Sequence, residues 1–142
     1  MYGGMCTSEY TQSLLSLSEA ANKSEGVKLT TIFLGNESLI QRGRNTIAHH
    51  FMNLPDATHL LFIDADIKFR TQDIVKMIQA DKSLIIGPVG LKGYNWDEIR
   101  QAAINGEDDI GRTGGVFNIN KLPGVDMVDE NEPFEIEHGG NA

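Results

Sequence analysis

Asp64 and Asp66 stand one residue apart, directly after the apolar run His59-Leu60-Leu61-Phe62-Ile63. Two carboxylates this close repel each other unless a cation or a proton lies between them. A hard divalent ion, Mg²⁺ or Mn²⁺, takes oxygen ligands and commonly shares them with the diphosphate of a substrate. The competing reading is a solvated acidic turn. The apolar run before Asp64 favours the metal, because ligands of parallel α/β sheets bind beyond the carboxyl ends of the strands. The second signal is Arg42-Gly43-Arg44-Asn45. Arg44 follows Ile40 by four residues and precedes Ile47 by three, so it falls inside the apolar stripe of a helix. A charge there is costly unless paired. Arg44 is therefore expected to meet Asp64, a bound phosphate, or both; the alternative is an arginine that snorkels from the end of the stripe. Arg42 falls on another face with Asn45 and His49 and reads as a surface residue.

These residues need elements to position them, and the apolar periodicity supplies an alternating series. Residues 7–24 read as a helix with Tyr10, Leu14, Leu17 and Ala21 along one stripe, Thr7 or Ser8 as cap and Glu9 in the first turn. Residues 27–34 are β-branched and apolar, a strand pattern. Residues 38–53 form a second helix with Ile40, Ile47, Phe51 and Leu54 inward. Residues 58–63 and 83–87 are continuous apolar runs, the signature of strands buried on both faces. Between them, Thr71 with Asp73 opens a third helix, with Ile74, Met77 and Ile78 inward. Residues 96–105 form a fourth helix with Trp96, Ile99 and Ala103 on one side.

The alternation of helix and strand predicts an α/β fold: a mostly parallel sheet with helices on both faces. After Asn105 the character changes. Glycines punctuate short segments, and residues 115–119 and 134–137 alternate as half-buried antiparallel strands do.

Composition bounds the function. The 142 residues suit one domain or a piece of one. They carry 12 basic and 20 acidic side chains, a net charge of −8, which argues against general nucleic-acid binding. Eight of the acidic residues lie from Asp108 onward, against only Arg112 and Lys121. That segment thus carries −6 of the net −8, away in sequence from Arg44, Asp64 and Asp66, and an anionic ligand held through a metal is compatible with it. The single cysteine, Cys6, excludes an internal disulfide and a multi-cysteine zinc site. No run approaches the roughly 20 apolar residues of a membrane span, and no signal peptide is visible. A soluble, reducing, cytoplasmic setting is the expectation.

Residues 38–45 followed by residues 60–67, Leu-Leu-Phe-Ile-Asp-Ala-Asp-Ile, resemble the GT-A glycosyltransferases, and most closely the small nucleotide-sugar transferases of large viruses and phages. Tyr2-Gly3-Gly4-Met5-Cys6-Thr7 is similar to the loop after the first strand in that family. The likeness spans about residues 2–96. It implies a Rossmann-like nucleotide-sugar domain, with residues 1–105 as the donor part and 106–142 as the start of the acceptor part. It implies transfer of a sugar from a UDP- or GDP-sugar to the hydroxyl of a glycan or other acceptor. Asp66 would ligate Mn²⁺ or Mg²⁺, with Asp64 on the ribose or the metal. Arg44 and Asn45 would support the donor, Tyr2 and Gly3 would flank the base, and Lys92 would meet phosphate or sugar. If the gene is viral, the setting would be the host cytoplasm.

Against the family pattern, the strand expected before Tyr2 is missing, and the chain stops where a catalytic carboxylate and a late metal-binding histidine usually follow. No catalytic base is assigned. Glu135, Glu137 and His138 are candidates by position only, and the reading as solvent-facing strand residues is the stronger one for them. Two further readings stand beside transfer. One is a non-catalytic nucleotide-sugar-binding fragment. The other is a phosphohydrolase with Asp64 as nucleophile, which Lys68 disfavours, since such enzymes usually place Thr or Val two residues after the second Asp. Trp96 reads as a cover for the sheet, His49 and His50 as helix surface, and the Gly114-Gly115 pair as no phosphate loop because no Lys-Ser/Thr follows.

Overall fold

A computed structural model of the chain describes residues 4–108, 110–117, 119–125 and 132–139. The side chains of Lys92, Arg112 and His138 lie outside the described part. In chain order the elements are α1 (Ser8–Lys23), α2 (Ile40–Met52), α3 (Thr71–Gln79), β1 (Gly90–Tyr94), α4 (Trp96–Asn105), α5 (Ile110–Thr113), β2 (Gly115–Phe117), β3 (Ile119–Lys121) and β4 (Ile136–Gly139). They divide between two compact units, Met1–Lys76 and Met77–Ala142. No described helix is long and apolar enough to cross a membrane.

Local signals set the helix ends. Thr7 has extended backbone, and its hydroxyl accepts the Tyr10 N–H, which satisfies one of the donors a helix start leaves orphaned. Asn95 does the same for α4 through Glu98, and Gly106 closes that helix at φ 73°, a left-handed conformation that glycine adopts without a Cβ penalty. Helix α1 buries Tyr10, Ser13, Leu17 and Ala21. Helix α3 buries Ile74, with Met77 half-buried and Ile78 exposed.

Two helices are rotated from the expected faces. The buried residue of α2 is Gly43, with Ile47 and Phe51 half-buried, whereas Ile40 is exposed. A Cβ at Gly43 would stand 3.1 Å from Leu34 Cδ2 and 3.2 Å from Glu37 Cγ, so the missing side chain lets α2 lie close against the preceding segment. In α4 the buried residue is Ala102, at 2% exposure, with Ile99 half-buried; Trp96 points outward instead of covering a sheet.

The expected parallel sheet is not formed. The strands make two small antiparallel sheets, β1 with β2 and β3 with β4. In the first, Gly90 stands opposite Phe117 and Tyr94 opposite Gly115, with an irregularity between. In the second, Ile119 faces Gly139 and Lys121 faces Ile136. Residues 27–34, 58–63 and 83–87 join no ladder among the described residues. This is not the Rossmann-like GT-A architecture. A continuous apolar run marks a buried strand only where other layers cover both of its faces. Here Phe33 and Phe62 remain exposed in their segments, and Leu84 is 82% exposed. The antiparallel character expected near the C-terminus does appear, in β2, β3 and β4.

Candidate functional site

The acidic pair sits on a tight turn. The Ile67 N–H donates to the Asp64 carbonyl at 3.1 Å, closing Asp64-Ala65-Asp66-Ile67. Both carboxylates are on the exposed side of this turn. Helix α1 fixes the turn from one side. The Thr7 backbone N–H donates to the Ala65 carbonyl at 3.0 Å, and the Thr7 hydroxyl reaches the same oxygen at 3.5 Å. Further along α1, the Tyr10 and Phe69 rings meet edge to face at 6.2 Å, and the Phe69 N–H donates to Ser13 Oγ at 3.1 Å. The acidic turn is thus clamped between the capped end of α1 and an aromatic contact, a supported position rather than a loose loop. Glu9 lies at the same end of α1. Its carboxyl is held below its ordinary range by its backbone hydrogen bond, then by the Ser8 hydroxyl, with Lys68 a weaker cause.

Arg44 reaches this turn from α2. Its Nη2 stands 3.7 Å from Asp64 Oδ1, with the two side chains 45% and 65% exposed. The pairing expected from the sequence is present, although Arg44 lies at the rim of the buried stripe rather than inside it. Because α2 turns Gly43 inward, the next residue is carried to the edge. An ion pair this exposed is worth at most about 1 kcal/mol, so stability alone does not account for it.

The remaining sequence candidates separate. Asn45 lines a shallow depression of about 520 Å³ on α2 with Leu39, Gln41, Arg42, Thr46 and His49. Arg42, Asn45 and His49 therefore do share a face. Lys92 lies in β1 of the second unit. Tyr2 and Gly3 lie outside the described residues. Glu135 and Glu137 are exposed and alternate with half-buried Phe134 and Ile136, which is the pattern of a half-buried strand. No three of the described His, Cys, Asp and Glu residues cluster closely enough to enclose a metal by themselves.

Sequence reasoning missed two groups. Thr7 was legible as a cap but not as the anchor of the acidic turn. Glu37 was not singled out, yet its carboxylate takes two bonds of 2.7 Å from Arg42 and accepts the Leu39 N–H at 3.0 Å. It thereby serves the start of α2, where Leu39 offers no side-chain cap. The Arg42 guanidinium and then the Leu39 amide hold the Glu37 carboxyl at about 2, from an ordinary 4.5. A folded-state value below the unfolded one means that this carboxylate supports the fold fully above about pH 4.5, and that its support is lost as pH falls toward 2. A carboxyl titration followed by NMR should place the Glu37 midpoint near 2, and Arg42→Ala should return it toward 4.5. A midpoint that ignores Arg42→Ala would contradict this pairing.

No protein-family model matches the chain, and no curated protein or solved structure matches it.

Proposed function

We propose that the chain is a metal-dependent sugar transferase, moving a sugar from a nucleotide-diphospho-sugar to an acceptor hydroxyl. The observation that carries this reading is the Asp64-Ala65-Asp66 turn, held by Thr7 and met by Arg44. Mg²⁺ and Mn²⁺ sites for phosphorylated substrates use one or two protein carboxylates and complete their shell with water and phosphate oxygens. Two carboxylates on an exposed turn fit that donor set, whereas a three-ligand enclosure is not needed. Asp64 and Asp66 would hold the ion. Its chemistry there is to neutralise the charge that grows on the departing nucleoside diphosphate, an interaction stronger in the transition state than in the ground state. Arg44 supplies planar donors suited to a phosphate. The motif likeness of residues 38–45 and 60–67 to nucleotide-sugar transferases points the same way.

A second reading, nucleotide-sugar binding without turnover, is favoured by the exposed positions of Glu137 in β4 and of Glu135 just before it, which leave no described carboxylate assigned as base. One assay separates the two. The chain is incubated with UDP- and GDP-sugars with and without Mn²⁺, and released nucleoside diphosphate is measured. Release that EDTA abolishes supports transfer or hydrolysis of the donor. Mn²⁺-dependent binding without release supports the binding module. Neither binding nor release would overturn both.

A further inference from the structure

Helix α2 carries two arginines that each meet a carboxylate, but the two pairs are built differently. Arg42 grips Glu37 through two bonds of 2.7 Å, a fork that locks both side chains. Arg44 stands 3.7 Å from Asp64, beyond hydrogen-bond distance, and the two side chains are 45% and 65% exposed. A pair this long and this wet holds neither partner firmly. The backbone on both sides of it is nonetheless fixed. The turn that carries Asp64 is closed by the Ile67 N–H and anchored by the Thr7 N–H. The base of Arg44 is set by its neighbour Gly43, which is buried close against Leu34 and Glu37. What can move is the guanidinium, at the end of a long side chain.

Charge gives that looseness a use. Asp64 and Asp66 place two negative charges on one turn, and Arg44 offsets one of them. Glu9, at the near end of α1, attracts Lys68, and these two charges offset each other. A bare divalent cation at the turn therefore meets Arg44 as a repelling neighbour. A cation that carries a diphosphate brings anionic oxygens for that same arginine. The planar donors of a guanidinium suit a phosphate in close contact better than they suit a carboxylate held at this distance.

We propose that Arg44 is an exchangeable counter-charge, which makes the turn selective for the divalent-metal chelate of a diphosphate over the bare metal ion. Asp64 holds the guanidinium until it ligates a cation, and Arg44 then passes to the diphosphate that the cation carries. Metal and diphosphate thus bind as a unit, and by reciprocity each raises the affinity of the turn for the other by the same factor. This inference rests on the metal reading of Asp64 and Asp66. It adds that the preference of the site is set by an arginine rather than by the carboxylates.

The test is a pair of affinities with opposite expected signs. Binding of Mn²⁺ alone is followed by electron paramagnetic resonance. The preformed Mn²⁺ complexes of UDP and GDP are titrated by calorimetry into the parent chain, Arg44→Gln and Arg44→Lys. Arg44→Gln should bind bare Mn²⁺ about 3- to 10-fold more tightly at low salt, because a repelling charge near a divalent ion is gone. The same variant should bind the better of the two chelates about tenfold more weakly, because a charged donor to phosphate is gone. Arg44→Lys keeps the charge, so its affinity for bare Mn²⁺ should match that of the parent. Arg44 is exposed, so these variants are expected to fold, and circular dichroism checks that they do. A merely structural role would move both affinities in the same direction. Two affinities that fall together in folded Arg44→Gln, or a bare-Mn²⁺ affinity that does not rise, would overturn the proposal and leave the metal reading in place. A parent chain that binds neither Mn²⁺ nor either chelate would overturn both.

Discussion

Asp66→Ala is expected to abolish Mn²⁺-dependent binding of nucleotide-sugar. A divalent ion that takes only two ligands from the protein loses half of its protein donors in this variant. Substitution of groups that merely orient metal ligands already costs about 10- to 100-fold in affinity, so removal of a ligand should exceed about 100-fold. The loss is not expected to come from unfolding. Asp66 is exposed on its turn, and surface substitutions usually change stability by less than about 0.5 kcal/mol. Calorimetry with UDP- and GDP-sugars, with and without Mn²⁺, reads the effect directly, and a thermal melt on the same sample checks the fold. Affinity unchanged by Asp66→Ala would remove the metal reading of the turn. Asp64→Asn tests its neighbour in parallel. The amide keeps the shape but gives up the charge that faces Arg44 at 3.7 Å, so metal dependence should fall while the melt stays in place.

Gly114→Ala is expected to cause the largest loss of stability in the second unit. Gly114 is buried, and a Cβ there would overlap the Ile99 side chain at Cδ1 and Cγ1 and stand 3.7 Å from the Asn95 carbonyl oxygen. Ile99 cannot yield freely, because it shares the packed face of α4 with Ala102. The Gly114 backbone cannot retreat without straining the Asn95 N–H bond that its carbonyl accepts at 3.1 Å. Overpacking of this kind costs about 1–3 kcal/mol. For a unit of this size, each 1 kcal/mol lowers the melting temperature by about 4–8 °C. Ile99→Ala alone should also destabilise, by leaving a void. The double variant should be more stable than the sum of the two predicts, since the added methyl then occupies vacated space. A melt of Gly114→Ala identical to that of the parent would show that Gly114 and Ile99 of α4 do not press on each other.

The helices were legible in the sequence because their signals are local. Thr7 was read as a cap, and the bounds of α1 and α4 fall within a residue of the expected 7–24 and 96–105. The strands were not, because a ladder depends on a partner that the run itself does not name. Residues 58–63 have the composition of a doubly covered strand, yet Leu61 and Phe62 stay exposed and no described neighbour pairs with them. Strand β1, by contrast, contains Gly90 and Gly93 and carries no apolar signature, but it pairs with β2. At the site, the Arg44–Asp64 encounter was legible because a charge beside an apolar stripe demands a partner. The bond from Thr7 to Ala65 was not, since it joins residues 58 apart through a backbone oxygen that no side-chain pattern announces.

That bond makes Thr7 a shared component of two structures. Its hydroxyl accepts the Tyr10 amide that starts α1 and donates to the carbonyl at the centre of the acidic turn. Fraying of the helix end and loosening of the turn are therefore a single opening event rather than two. By thermodynamic reciprocity, whatever ligand tightens the turn must suppress fraying of α1 by the same free energy, and a helix held shut must raise the affinity of the turn by an equal amount. The cap of α1 is in this sense part of the affinity of a site to which it contributes no ligand.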